Sequence, residues 1–255
     1  MGDPGFPDHF SGHADLYART RPAYPPALFE FLAAESPGHE LAIDVGTGNG
    51  QAARELASRF RRVVATDPSE AQLRHAPRLS NVTYRRSLAQ DTGEADRSCQ
   101  LVTAAQAAHW FDWAAFGREA LRVLAPGGVL AIWTYELFRV DRGIDALVDD
   151  FYRHVVGPCW PRERRHVEEG YARLWVEGLE RLDCPRFEFR SLWTMDDALD
   201  YLATWSAVQR CRQLRGIDPL ERLRPPMGLA WGSGRREVAW PIHLRAGCKS
   251  RDSFC

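Results

Sequence analysis

The sequence predicts an α/β protein built on a doubly wound, mostly parallel sheet of seven strands beneath a helical cap. Short apolar runs at 41–45, 62–66, 82–86, 100–105 and 128–135 alternate with helical segments, which is the rhythm of a parallel sheet. The first run ends in a glycine-rich turn at the start of a helical pattern. Two later runs, 186–193 and 236–245, alternate apolar and polar residues and bring the chain back to the same sheet.

The elements follow in order. Residues 1–24 are rich in Gly, Pro, His and aromatics, and Pro25-Pro26 opens a helix, since proline fits a first turn that does not need its N–H. Segment 1–36 is expected to lie over the core as a helical preamble. Ala53, Leu56, Ala57 and Phe60 fall on one helical face, and Trp113, Phe116, Ala120, Leu121 and Leu124 form a second stripe. Pro126-Gly127-Gly128 is expected to stop that second helix and start the next strand. Past 137 the pattern gives helices near 143–156, 165–181 and 196–214, read as a cap inserted over about 137–230 of a main domain spanning 37–246. Residues 247–255 lack periodicity and are expected to be a frayed tail without a role.

Composition removes several classes. The 255 residues are 45% hydrophobic and 26% charged, an ordinary globular balance that argues against disorder and a membrane-spanning chain. Thirty-three basic and 34 acidic residues leave a net charge of −1, so no overall positive field favours nucleic acid or anionic lipid. Lys249 is the lone lysine. The first residues show no basic-then-apolar leader, which places the protein in the cytoplasm by expectation. Six cysteines at 99, 159, 184, 211, 248 and 255 form no C-x-x-C pair, so neither a metal site nor a disulfide framework is expected.

The chemistry concentrates at the strand ends. Leu41-Ala42-Ile43-Asp44-Val45-Gly46-Thr47-Gly48-Asn49-Gly50 is an apolar strand, an acid and a Gly-x-Gly-x-Gly turn. Such glycines allow close backbone approach to a ligand. A dinucleotide fingerprint would have its third glycine or alanine where Gln51 stands. Asp44 before the loop suits a ligand with a cationic amine and no phosphates, which points to S-adenosylmethionine. The next strand ends in Asp67-Pro68-Ser69, an acid at the spacing that bonds ribose hydroxyls; helix capping by Asp67 or Ser69 is the competing reading. Ser87-Leu88-Ala89-Gln90-Asp91 follows the third strand, where a side chain and a backbone N–H can meet an adenine edge.

Residues 41–135 resemble a class I S-adenosylmethionine-dependent methyltransferase of the type-11-like group, a Rossmann-like fold. More narrowly, 17–25 (Tyr-Ala-Arg-Thr-Arg-Pro-Ala-Tyr-Pro), 104–112 (Ala-Ala-Gln-Ala-Ala-His-Trp-Phe-Asp) and 203–207 (Ala-Thr-Trp-Ser-Ala) resemble small-molecule methyltransferases related to trans-aconitate methyltransferase. The resemblance spans about 10–245. It implies a cofactor loop at Asp44, Gly46, Thr47, Gly48, Asn49 and Gly50, a ribose acid at Asp67 beside Pro68, and adenine contacts at Ala89 and Gln90. An acid is usual at position 90, so the contact can shift to Asp91. It also implies that Tyr17 and Arg21 lie over the cofactor and that Gln106 and His109 follow the fourth strand beside the transferring methyl. His109 is a general base only if the acceptor must lose a proton; otherwise it is an acceptor-positioning or structural residue. Trp110 and Trp205 wall the acceptor pocket or pack in the core.

The implied reaction is methyl transfer from S-adenosyl-L-methionine to a small molecule at a carboxylate or hydroxyl, giving S-adenosyl-L-homocysteine. A non-catalytic adenosylmethionine-binding module, a protein-directed methyltransferase and a nicotinamide or flavin oxidoreductase are the rival readings.

Overall fold

Strand β1 (Leu41–Val45) is buried along its whole length, as a run of apolar residues must be when both faces of a parallel sheet are covered. The computed structural model describes residues 23–251; Tyr17 and Arg21 lie outside them. Beside β1 run β2 (Arg62–Asp67) and β3 (Val82–Arg86), and on its other side β4 (Cys99–Ala105) and β5 (Leu124–Tyr135). All five are parallel, in the order β3-β2-β1-β4-β5. The chain therefore reverses its winding direction between β1 and β4, and ligands of such sheets bind at that switch, outside the strands' carboxyl ends.

The return is made by a 14-residue strand, β8 (Arg236–Lys249), antiparallel to β5. It also pairs with β6 (Leu179–Arg181) and β7 (Phe187–Trp193), giving eight strands among the described residues rather than seven. Expected residues 247–249 are thus sheet, not frayed tail: Gly247 and Cys248 pair with β5, and Lys249 donates to the carbonyls of Leu121 and Leu124.

Helix α1 (Pro26–Glu35) begins at the double proline and buries Leu28, Phe29, Leu32 and Ala33. Helices α2 (Gln51–Ala57) and α3 (Glu70–Arg74) follow β1 and β2, and α4 (Trp113–Val123) precedes β5. Helix α4 ends before the Pro-Gly-Gly, because Leu124 already pairs with Cys99; Ala125–Gly128 then bulge out before Val129 pairs with Leu101. Gly127, at φ +76°, lets the bulge turn.

The cap departs most from its pattern. Helix α5 (Arg142–Asp150) ends in one π-type turn, Phe151–Val155. The expected helix 165–181 is only α6 (Arg164–Glu168), since Gly170 and Tyr171 take positive φ. Val167, Tyr171 and Leu174 mimic helical spacing yet are buried through turns. The segment 196–214 divides at Thr204-Trp205 into α7 (Met195–Ala203) and α8 (Ser206–Arg215). A further helix, α9 (Leu220–Trp231), carries Pro225 and Pro226 internally and was not expected; burial of Leu223, Met227 and Trp231 offsets the missing donors.

The cysteine expectation is also corrected. Cys159 and Cys211 form a disulfide between the turn after α5 and helix α8, while Cys99, Cys184 and Cys248 are free. The two are 52 residues apart, so spacing alone could not pair them. No helix of the described residues is long and apolar enough to cross a membrane, and they hold no metal-binding cluster.

Candidate active site

The loop after β1 is set from below by Asp44. Its side chain is fully buried, accepting from Thr47 Oγ1 (2.6 Å) on one oxygen and from Thr103 Oγ1 of β4 (2.7 Å) on the other. Burial outweighs these bonds and pushes its carboxyl up to about 6. Asp44 is not among the residues that border the cleft above it, whereas Thr47, which donates to it, is.

The glycines divide by function. A Cβ at Gly46 (φ +69°) would stand 2.5 Å from that of Ala107, and one at Gly50 (φ +82°) would meet the Tyr84 hydroxyl at 2.8 Å. Those two are required by protein packing. At Gly48 (φ +57°) a Cβ would come no nearer than 3.9 Å to Gln72 Oε1, and Gly48 borders the cleft. Here the missing side chain keeps space for a ligand.

Asp67 closes the next side. Its Oδ2 accepts from the Gly48 N–H and its Oδ1 from the Ser69 N–H, both at 2.8 Å. Ser69, not Asp67, caps α3. The carboxylate borders the cleft, and its fixed orientation is what paired hydroxyls need from an acceptor. The third side is the loop after β3, anchored to α4 because Thr92 donates through N (2.8 Å) and Oγ1 (2.6 Å) to buried Glu119. Arg122 donates to the same carboxylate and holds it below the usual carboxylate range against burial.

The resulting cleft encloses about 1040 Å³, counting solvent at its mouth. Of the expected cofactor residues, Gly46, Thr47, Gly48, Asn49, Asp67, Pro68, Ala89, Gln90 and Gln106 border it. Gly50 sits behind against Tyr84, and Asp91 is exposed and turns the loop by accepting from Gly93 N–H. Tyr24, Gln72, Leu88 and Phe111 border it unforeseen. Tyr24 is placed by edge-on packing against Trp133 and Phe189, which no local pattern reveals.

A second chamber, about 670 Å³ with its mouth, shares Gln106 and Trp110 with the cleft. Gln106 ends β4 with φ +53°, and its Oε1 accepts from Thr134 of β5 (2.8 Å). His109 and Trp205 border this chamber, together with Tyr135, Glu136, Trp160, Arg164, Tyr201 and Thr204. The His109 Nδ1 pairs with the hydroxyl of buried Tyr171 at 2.8 Å, so the opposite ring edge is left for a ligand. Burial first, and then the charges of Arg164 and His166, push the imidazole down to about 3. It is neutral near pH 7.

The donor set fits an adenosyl ligand: an acid fixed at the second strand, a glycine opening into the cleft, and Gln90 on the third loop. Known proteins agree. Residues 43–132 match the methyltransferase-domain family. A Dictyostelium discoideum protein assigned as a methyltransferase is 31% identical over 248 residues, 94% of either chain. The Aspergillus candidus methyltransferase cfoB is 31% identical over 197 residues, covering 65% of this chain and 60% of its own. A solved Anaeromyxobacter dehalogenans structure, described as a type II methyltransferase, superposes with TM-score 0.84 at 46% identity, covering 89% of this chain and 97% of its own. With the switch-point cleft, the fixed acid of β2 and near full-length relatives in agreement, the chain belongs to the class I S-adenosylmethionine-dependent methyltransferases.

Proposed function

We propose that this enzyme methylates a small molecule at a carboxylate or hydroxyl oxygen, with the cofactor in the first cleft and the acceptor in the second chamber. The observation that carries the reading is the sharing of Gln106 and Trp110 by both spaces. Bound S-adenosylmethionine supplies a sulfonium methyl; the acceptor oxygen's lone pair forms the new C–O bond while the C–S pair stays on sulfur, leaving S-adenosylhomocysteine. Such a displacement needs alignment and exclusion of water more than acid or base.

The chain's own groups suit that demand. Asp67 and the third-strand loop orient the nucleoside, and Trp110 and Trp205 exclude water from the acceptor side. His109, neutral at its Nε2 edge, positions the acceptor. A carboxylate acceptor needs no base; a hydroxyl acceptor gives up its proton to solvent, because a depressed imidazole is a weak base. Gln106, fixed through Thr134, marks where the acceptor atom enters.

The test is turnover. Purified protein incubated with S-adenosylmethionine and a panel of small acids and phenols is assayed for adenosylhomocysteine by mass spectrometry. Acceptor-dependent product supports the reading. Turnover with protein extracts and none with small molecules would replace it by a protein-directed enzyme, and binding without turnover in either would favour a non-catalytic module.

A further inference from the structure

The second chamber holds a cation that makes no direct ion pair among the described residues. Arg164, at the start of α6, is half-buried; its Nε donates to the Tyr152 hydroxyl (2.9 Å), and its guanidinium lies 4.5 Å from the Trp160 ring centre. Its link to an acid is indirect: the Tyr152 hydroxyl that accepts from Nε donates in turn to Glu168 Oε1 at 2.6 Å, so the outer fork of the guanidinium makes no ion pair among the described residues. The acid bordering the same chamber, Glu136, is held by His243 Nε2 at 2.5 Å. An arginine left with a fork of donors inside aromatic walls is built for bidentate contact with a planar anion.

The position of Arg164 adds direction. Gln106 and Trp110 join the chamber to the cofactor cleft, whereas Arg164 and Trp160 join it to a shallow outer cavity. The guanidinium therefore stands at the end away from the methyl donor. Trp160 and Trp205 also border the chamber, packed against each other with ring centres 5.5 Å apart and planes tilted by 49°.

Resting on the reading above, we propose that the acceptor is bifunctional: a planar, conjugated or aromatic molecule whose carboxylate is a handle on Arg164 while a separate ionised oxygen, a second carboxylate or a phenolate that has already lost its proton to solvent, meets the methyl near Gln106. The handle is not the methylated group. This makes Arg164 a specificity-determining residue, with Trp160 and Trp205 forming the apolar wall against which the body of the acceptor lies.

The test is calorimetric titration of adenosylhomocysteine-saturated protein with benzoate, 4-hydroxybenzoate and trans-cinnamate, and with their primary amides, to concentrations on the order of 10 mM. The expected result is saturable binding of at least one acid, roughly tenfold or more tighter than its amide. R164Q should abolish that preference while keeping adenosylhomocysteine affinity, which also shows that the variant is folded; R164K should restore part of it. Equal binding of acid and amide, binding of neither, or an unchanged preference in R164Q overturns the proposal. Failure of the wild type to bind adenosylhomocysteine overturns the underlying reading instead, and the handle with it.

Discussion

Thr103 of β4 donates its hydroxyl to Asp44 at the end of β1, 59 residues away, at 2.7 Å. With Thr47 donating to the other oxygen, the glycine loop is tied to the neighbouring strand through one buried carboxylate. Both bonds ask that carboxylate to accept, which it does fully only when ionised.

Asp44 therefore gives two pH dependences of opposite sign. Its folded pKa of about 6 lies above its unfolded value of about 4. The native state holds the extra proton between these values, so stability falls as pH rises from about 4 to about 6, by about 3 kcal/mol from this group, and is flat above. Adenosylhomocysteine affinity should rise over the same window as the loop's anchor ionises. Urea denaturation at stepped pH should show that slope in the wild type and its loss in D44N; an identical slope in D44N would refute the assignment.

Gly46 and Gly48 should fail differently. G46A forces a Cβ to 2.5 Å from Ala107 at positive φ, so a loss of about 1–3 kcal/mol of stability is expected. G48A meets only the edge of Gln72 and should cost about 1–2 kcal/mol, the left-handed strain alone. Its larger effect should be on cofactor affinity. Thermal melts beside calorimetry separate the two, and G48A binding like wild type would move the ligand away from this loop.

His109 should contribute no ionisation to the rate between about pH 5 and 8, because its imidazole sits at about 3. Once an acceptor is known, H109A should lower kcat/KM by roughly ten- to a hundredfold through lost positioning, with adenosylhomocysteine affinity unchanged. A limb near pH 6–7 in the wild-type profile that vanishes in H109A would restore the general-base role.

The Cys159–Cys211 bond closes a 52-residue separation and in the chain-entropy view contributes up to about 4 kcal/mol. It joins the backbone just before Trp160 to helix α8, which begins just after Trp205. Reduction with dithiothreitol should lower the melting temperature and weaken acceptor binding more than cofactor binding. Peptide mapping without reductant should recover both cysteines in one linked species; finding both alkylated would contradict the bond.

The parallel half of the fold was legible because each strand carries its own signal: β1 and β3 keep their expected bounds and β2 nearly so. The glycine loop, Asp67 and the third-strand loop come with those strands. The cap was less legible, since Val167, Tyr171 and Leu174 satisfy a helical period while the backbone turns at Gly170, where a Cβ would press on His243. Partnerships across the fold were invisible for the same reason. Nothing near Asp44 names Thr103, nothing near His109 names Tyr171, and Arg164 among 33 basic residues carries no local mark. The methyltransferase family is supported by full-length relatives; the narrower resemblance to trans-aconitate methyltransferase rests on its motifs.

The most direct test of the central claim is calorimetry of S-adenosylhomocysteine binding to the wild type and to D67A, with NAD in parallel. The account predicts micromolar-range binding by the wild type, on the order of −8 kcal/mol, at least a tenfold loss in D67A with the fold intact, and no response to NAD. Wild-type affinity retained in D67A, or silence towards adenosylhomocysteine in a folded protein, would contradict it.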